Sequence, residues 1–79
     1  MTHYLKTLTN FYNAVESGNK TFEVRFNDRD FRVGDTLILQ NWNGWERTGR
    51  ELIKKVTYIL DDPQYCKDGY VVLGIKDIE

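Results

Sequence analysis

The chain has 79 residues, enough for one domain (1–79) whose single core buries only about 60% of the surface its unfolded form exposes. Its 11 basic and 12 acidic side chains leave a formal charge of −1, and 41% of it is hydrophobic. That balance excludes disorder and a global field that draws nucleic acid, so any such binding must come from a local patch.

Residues 3–8 alternate weakly and predict a short first strand. Thr9 or Asn10 then caps a helix whose Phe11, Ala14 and Val15 fall at i, i+3 and i+4. Gly18 stands where a left-handed helix end needs glycine. With barely two turns, that helix holds only if it docks on a sheet. Residues 21–27 alternate an apolar set (Phe22, Val24, Phe26) with a polar set (Thr21, Glu23, Arg25, Asn27). The expectation is a second strand with the apolar set inward and the polar set outward. Lys20 is in phase with Phe22, so it joins the polar ridge only if the chain is still turning there.

Residues 28–35 read as a turn-rich connection broken at Gly34-Asp35, and 36–42 as an aliphatic third strand. Asn43-Gly44 is a strong hairpin signal, setting Trp42 and Trp45 on opposing strand ends. A long strand from about residue 50 to 60 puts Val56, Tyr58 and Leu60 on one face, and Pro63 falls in the next loop. The near-continuous apolar run 69–76 predicts a last strand buried on both faces. Five strands and one early helix predict a mainly β, α+β fold: a mostly antiparallel sheet curled into a small barrel, with full or near closure removing its edges.

The single Cys66 excludes an internal disulfide and reads as a free intracellular thiol. One Cys and one His cannot supply the four ligands of a structural zinc site. No run reaches membrane-spanning length and no apolar leader follows Met1, so a cytoplasmic protein without membrane association is expected.

The polar ridge offers a carboxylate, a guanidinium and an amide in one line, with Lys20 at its start and Arg29 just past its end. It is either an ion-pair ladder worth about 0.2–1 kcal/mol or the wall of a ligand cleft. In the cleft, Lys20 and Arg25 meet phosphate or carbonyl oxygens, while Glu23 accepts from a base amino group or acts as general base. Arg29, Arg32, Arg47 and Arg50 form a basic rim if their two loops meet, opposed by Asp28, Asp30, Asp35 and Glu46. Thr48-Gly49-Arg50 reads as a tight turn presenting Arg50, with a structural pair to Asp28 or Asp30 as the equal alternative. Trp42 fits cross-strand packing, whereas Trp45 is the better exposed ring for stacking a base. His3 has no evident partner as a base, and no Ser or Cys stands in an elbow.

Gly18, Lys20, Glu23 and Arg25 spell G-x-K-x-x-E-x-R after a short helix. Asn27-Asp28-Arg29, Phe31, Val33-Gly34-Asp35, Thr48-Gly49-Arg50 and Asp68-Gly69-Tyr70-Val71-Val72 follow in order. With these motifs the chain, from His3 to Ile75, resembles the ASCH domains, small β-barrels related to the PUA fold, and within them a compact phage and bacterial subfamily. The resemblance implies a cleft beside the helix lined by the motif residues, with His3 pointing toward it. It also implies RNA binding, and in a few relatives hydrolysis of acetylated cytidine or of RNA. Those amidohydrolases use a lysine, a threonine three residues on and a carboxylate from a late strand. Lys20 matches the lysine, but position 23 is Glu, and the late strand offers only Asp68, Asp77 and Glu79 near its ends.

The resulting expectation is a small binding module for RNA or a nucleotide-like ligand, with no metal or other cofactor. His3, Lys6, Lys20, Glu23, Arg25, Asn27, Arg29, Trp45 and Arg50 surround its cleft. The alternatives are a small hydrolase of a modified nucleoside or an RNA phosphodiester, with Lys20 as stabiliser and Glu23 as base, and a phage or host protein-interaction module built on Trp45.

Overall fold

In the computed structural model, which describes residues 1–78, the first strand β1 (Thr2–Leu8) leads without a loop into α1 (Thr9–Glu16). The strands β2 (Phe22–Phe26), β3 (Thr36–Trp42), β4 (Arg47–Leu60) and β5 (Tyr70–Asp77) follow. All five form one sheet in the order β1-β3-β4-β5-β2, with β1 parallel to β3 and the other three pairings antiparallel. The sheet curls into a half-barrel, so the mainly β fold with one short helix is as expected. Register shifts between Gln40 and Trp42 and between Val56 and Tyr58 supply the bends such curling needs.

Alternation decides what enters the core. Leu5 on β1, Leu37 and Leu39 on β3, Val56 on β4 and Val71, Leu73 and Ile75 on β5 form one buried cluster, completed by Val15 and Phe31. The second register shift turns Tyr58 outward, so it does not share the inner face of Val56. Likewise β5 is buried on one face, not two: Tyr70, Val72 and Gly74 stay half-buried between fully buried neighbours. No helix among the described residues is long and apolar enough to cross a membrane.

Two details of α1 depart from the expected pattern. Its buried face is Tyr12 and Val15, which leaves Phe11 exposed beside the sheet. Neither Thr9 nor Asn10 caps it: Leu8 stands at the N-cap, and Thr9 Oγ1 donates to Asn41 Oδ1 at 2.8 Å, tying the helix to β3. The helix end is as expected, with Gly18 at φ +85° and its N–H donating to the Val15 carbonyl at 3.1 Å.

The orientation of β2 is the main correction. Phe22, Val24 and Phe26 face outward and are exposed, whereas Glu23 is only 3% exposed and Arg25 is half-buried. Register is the reason. Residues directly opposite in an antiparallel pair share a face. Glu23 lies opposite Leu73 and Arg25 opposite Val71, so the core residues of β5 carry these two inward. On the outer face Phe26 packs edge-on against Tyr70, with ring centroids 5.4 Å apart.

Gly69 joins this outer corner to the turn before β5. It sits at φ +81°, and a Cβ there would lie 2.6 Å from Phe26 Cε1. Gly69→Ala should cost about 1–2 kcal/mol, because the left-handed backbone is strained for any L side chain and the Phe26 ring must also leave Tyr70. A urea unfolding midpoint that matches the parent's would contradict this.

Candidate functional site

Strands β1 and β2 are the two outer edges of the sheet, and no backbone ladder joins them. Full closure is therefore not reached. Side chains of β2 and of the turn after it bridge the gap instead. Arg25 Nη1 donates to the Lys6 carbonyl at 3.0 Å, and its Nη2 donates to Thr7 Oγ1 at 3.0 Å and to Glu23 Oε1 at 3.3 Å. Arg29 Nη1 donates to the Tyr4 carbonyl at 2.8 Å.

Beside this seam lies a cleft of about 460 Å³, lined by Lys6, Thr7, Leu8, Phe11, Lys20 and residues 22–25. Leu8, Phe11, Phe22 and Val24 contribute exposed apolar surface, and charged groups occupy the same cavity. The Lys20 backbone N–H donates to the Ala14 carbonyl at 2.9 Å, so the chain is still turning there and its phase with Phe22 is broken. The ammonium then donates to Glu23 Oε2 at 2.7 Å and to the Phe22 carbonyl at 2.5 Å. It lies 4.8 Å from the Phe22 ring centroid and 5.8 Å from that of Phe11, within cation–π reach of both. Both oxygens of the buried Glu23 carboxylate are thus engaged, one by each cation. Arg25 Nε is buried without a hydrogen-bond partner among the described residues.

The other predicted site residues disperse. His3 is buried outside the cleft: its Nε2–H donates to Asp35 Oδ2 at 2.8 Å, and its ring meets Phe31 edge-on at 4.8 Å. Asp35 also accepts the Arg32 N–H at 3.0 Å and the Met1 ammonium at 3.1 Å. Burial alone raises the Asp35 pKa, but the bonds from His3, Arg32 and the N-terminus outweigh it and hold it at about 2. Asn27 Oδ1 accepts the Phe31 N–H at 3.1 Å, a turn-shaping role. Lys6 does line the cleft, with its ammonium 4.3 Å over the Trp42 ring.

Trp45 is exposed in the 43–46 connection, where Asn43 Oδ1 accepts its N–H at 2.9 Å, so it does not stand on a strand end opposite Trp42. The basic rim does not assemble at the cleft. Arg32 pairs with Asp30, Arg47 donates to Gln40, and Arg50 pairs with Glu16 at 2.7 Å while lying over the Tyr12 ring. Arg50 therefore takes neither Asp28 nor Asp30. Thr48-Gly49-Arg50 is not a turn before a strand but lies inside β4, at its irregularity opposite Asn41.

Of the late carboxylates, Asp77 pairs with Lys54, Asp68 does not line the cleft, and Glu79 lies outside the described residues. Cys66 is a free thiol whose Sγ donates to the Leu60 carbonyl at 3.4 Å. No group of three or more His, Cys, Asp or Glu side chains among the described residues is placed to hold a metal ion. Thr7, Leu8, Phe11, Phe22 and Val24 are cleft residues that sequence reasoning did not single out. The one usable signal was Phe22 standing beside Lys20.

Residues 2–75 match a family described as a domain of unknown function, DUF3850. A curated relative, the uncharacterized 12.9 kDa protein in the GpA 3′ region of Escherichia phage P2, is 35% identical over 71 residues, or 90% of this chain. The chain spans 64% of that relative's length. Among solved structures, the crystal structure of hypothetical protein PH0355 is similar with a TM-score of 0.66, covering 99% of this chain and 100% of that one. At 17% identity that likeness concerns the fold alone. The match across nearly the whole chain, together with the phage relative, places this protein in the DUF3850 family.

Proposed function

We propose that the chain is an ASCH-like, PUA-related binding module for RNA or a nucleotide-like ligand, and that the cleft between β2, α1 and the end of β1 is its site. One observation carries this reading: a cleft of about 460 Å³ joins exposed aromatic surface to a fixed ammonium–carboxylate–guanidinium row. Small-ligand sites are typically apolar hollows with a few placed polar groups, of this order of volume. Phe11 and Phe22 offer faces on which a base can stack. Glu23 fixes Lys20 and Arg25, and their remaining N–H groups suit carbonyl or phosphate oxygens.

Binding is favoured over hydrolysis by the state of Glu23. A general base must reach the substrate proton, and Glu23 is buried beneath the two cations from which its oxygens accept.

An NMR titration with nucleosides, nucleoside 5′-monophosphates and short RNAs tests the reading. Amide shifts are expected at Thr7, Phe11 and residues 20–25. Lys20→Ala and Arg25→Ala should each weaken binding about tenfold, with a shallower salt dependence. A spectrum unchanged by the whole panel overturns the reading, as do two variants that bind like the parent.

A further inference from the structure

The β1–β2 seam is bridged at two points, Arg25 on the Lys6 carbonyl and Arg29 on the Tyr4 carbonyl. These anchors are two strand residues apart, so they stand about 7 Å from each other along β1. That is of the order of the separation between successive phosphates in an extended single strand. The Arg29 side chain is 43% exposed, and its other charged contact, Nε to Asp28 Oδ1, is a loose 3.9 Å. A guanidinium pinned by one N–H to a backbone carbonyl has already lost much of its rotamer freedom, so its remaining donors bind an anion at reduced entropic cost.

Charge and edge chemistry both select the occupant. Along the cleft and seam stand Lys6, Lys20, Arg25 and Arg29, and the acids paired with them among the described residues are Glu23 and Asp28, although the whole chain carries −1. An extended peptide adding to β1 would need its edge carbonyls, and the guanidinia already cover those of Tyr4 and Lys6. Tyr4, whose carbonyl Arg29 holds, is itself exposed on this stretch of β1.

We propose that the seam is a second subsite, which takes the next phosphate of a single-stranded nucleic acid whose first nucleotide occupies the cleft. Arg29 is then a phosphate-contacting residue, and the ligand class is an oligonucleotide of at least two residues, not a free nucleoside. This rests on the reading of the cleft as a nucleotide site.

The test is affinity for 5′-phosphorylated homo-oligonucleotides of one, two and three residues in each base. The two-residue ligand should bind about tenfold tighter than the mononucleotide. Arg29→Ala should remove that gain and leave mononucleotide affinity unchanged, and Asp28→Asn should increase it. Should Arg29→Ala fold poorly, Arg29→Lys serves the same comparison, with a gain smaller than the parent's. Equal affinity for one and two residues overturns the subsite while the cleft reading stands. So does an Arg29 variant that weakens both ligands alike, or a two-residue gain that Arg29→Ala leaves intact. A peptide that shifts the Tyr4 and Lys6 amides where oligonucleotides do not overturns it in favour of strand addition. Failure of every ligand, mononucleotides included, removes the cleft reading and the subsite together.

Discussion

Glu23→Ala is expected to lower the unfolding free energy by about 3 kcal/mol, and with it Tm by on the order of 15 °C in a domain this small. The carboxylate is 3% exposed, and Lys20 and Arg25 are themselves mostly covered. Removing it strands two cations over the apolar core of β5. Desolvated partners of that kind cost far more to leave unpaired than the pair contributes when intact. Glu23→Gln keeps the shape and one acceptor oxygen, so its loss should be smaller. Salt separates this from a solvated ladder. A buried pair is screened little, so the deficit should persist in molar salt, whereas a surface ladder worth about 0.2–1 kcal/mol would fade. A Glu23→Ala variant within 0.5 kcal/mol of the parent, or one whose deficit disappears in salt, would mean the row is solvated and the cleft is not a built site.

The β2 strand shows how far sequence reading reaches. Its period of two was legible in Phe22, Val24 and Phe26, but a period has no sign. Which set points inward is fixed by β5, where Leu73 and Val71 stand opposite Glu23 and Arg25, a pairing nearly 50 residues away in the chain. The same limit hid the side-chain partners. His3 meets Asp35, Arg50 meets Glu16, and Arg29 meets the Tyr4 carbonyl, each at least 25 residues apart and with no local pattern linking them. Features that depend on neighbouring residues alone were readable. The left-handed Gly18 and the third strand stand where backbone chemistry put them, and a connection does begin at Asn43-Gly44, although it runs through residue 46 instead of spanning two residues. Lys20 and Glu23 are three residues apart, and their shared place in the cleft was accessible for that reason. The reach of Arg25 across the open seam was not, because a closed barrel would have left no gap to cross.

Asp35→Ala should destabilise the fold by about 3 kcal/mol, since it leaves the buried His3 Nε2–H and the Arg32 N–H without acceptors at once. This carboxylate ties β1 to the start of β3, which is why His3 belongs to the frame of the half-barrel and not to its cleft. Its ionisation sets a pH dependence of definite sign. In the folded chain its pKa is about 2, below the ordinary carboxylate value near 3.9. Between these values the unfolded state binds the proton more readily than the folded one, so stability falls as pH falls. The contribution, on the order of 2–3 kcal/mol, is fully present above roughly pH 4 and is lost as pH drops through about 2. Other carboxylates titrate in the same range, so the informative quantity is the difference between the parent and Asp35→Asn in urea midpoints from pH 5 to 2. The parent should lose stability more steeply over that range, and the two curves should converge at its acidic end. Parallel curves would show that His3 and Arg32 do not hold the folded carboxylate ionised at low pH.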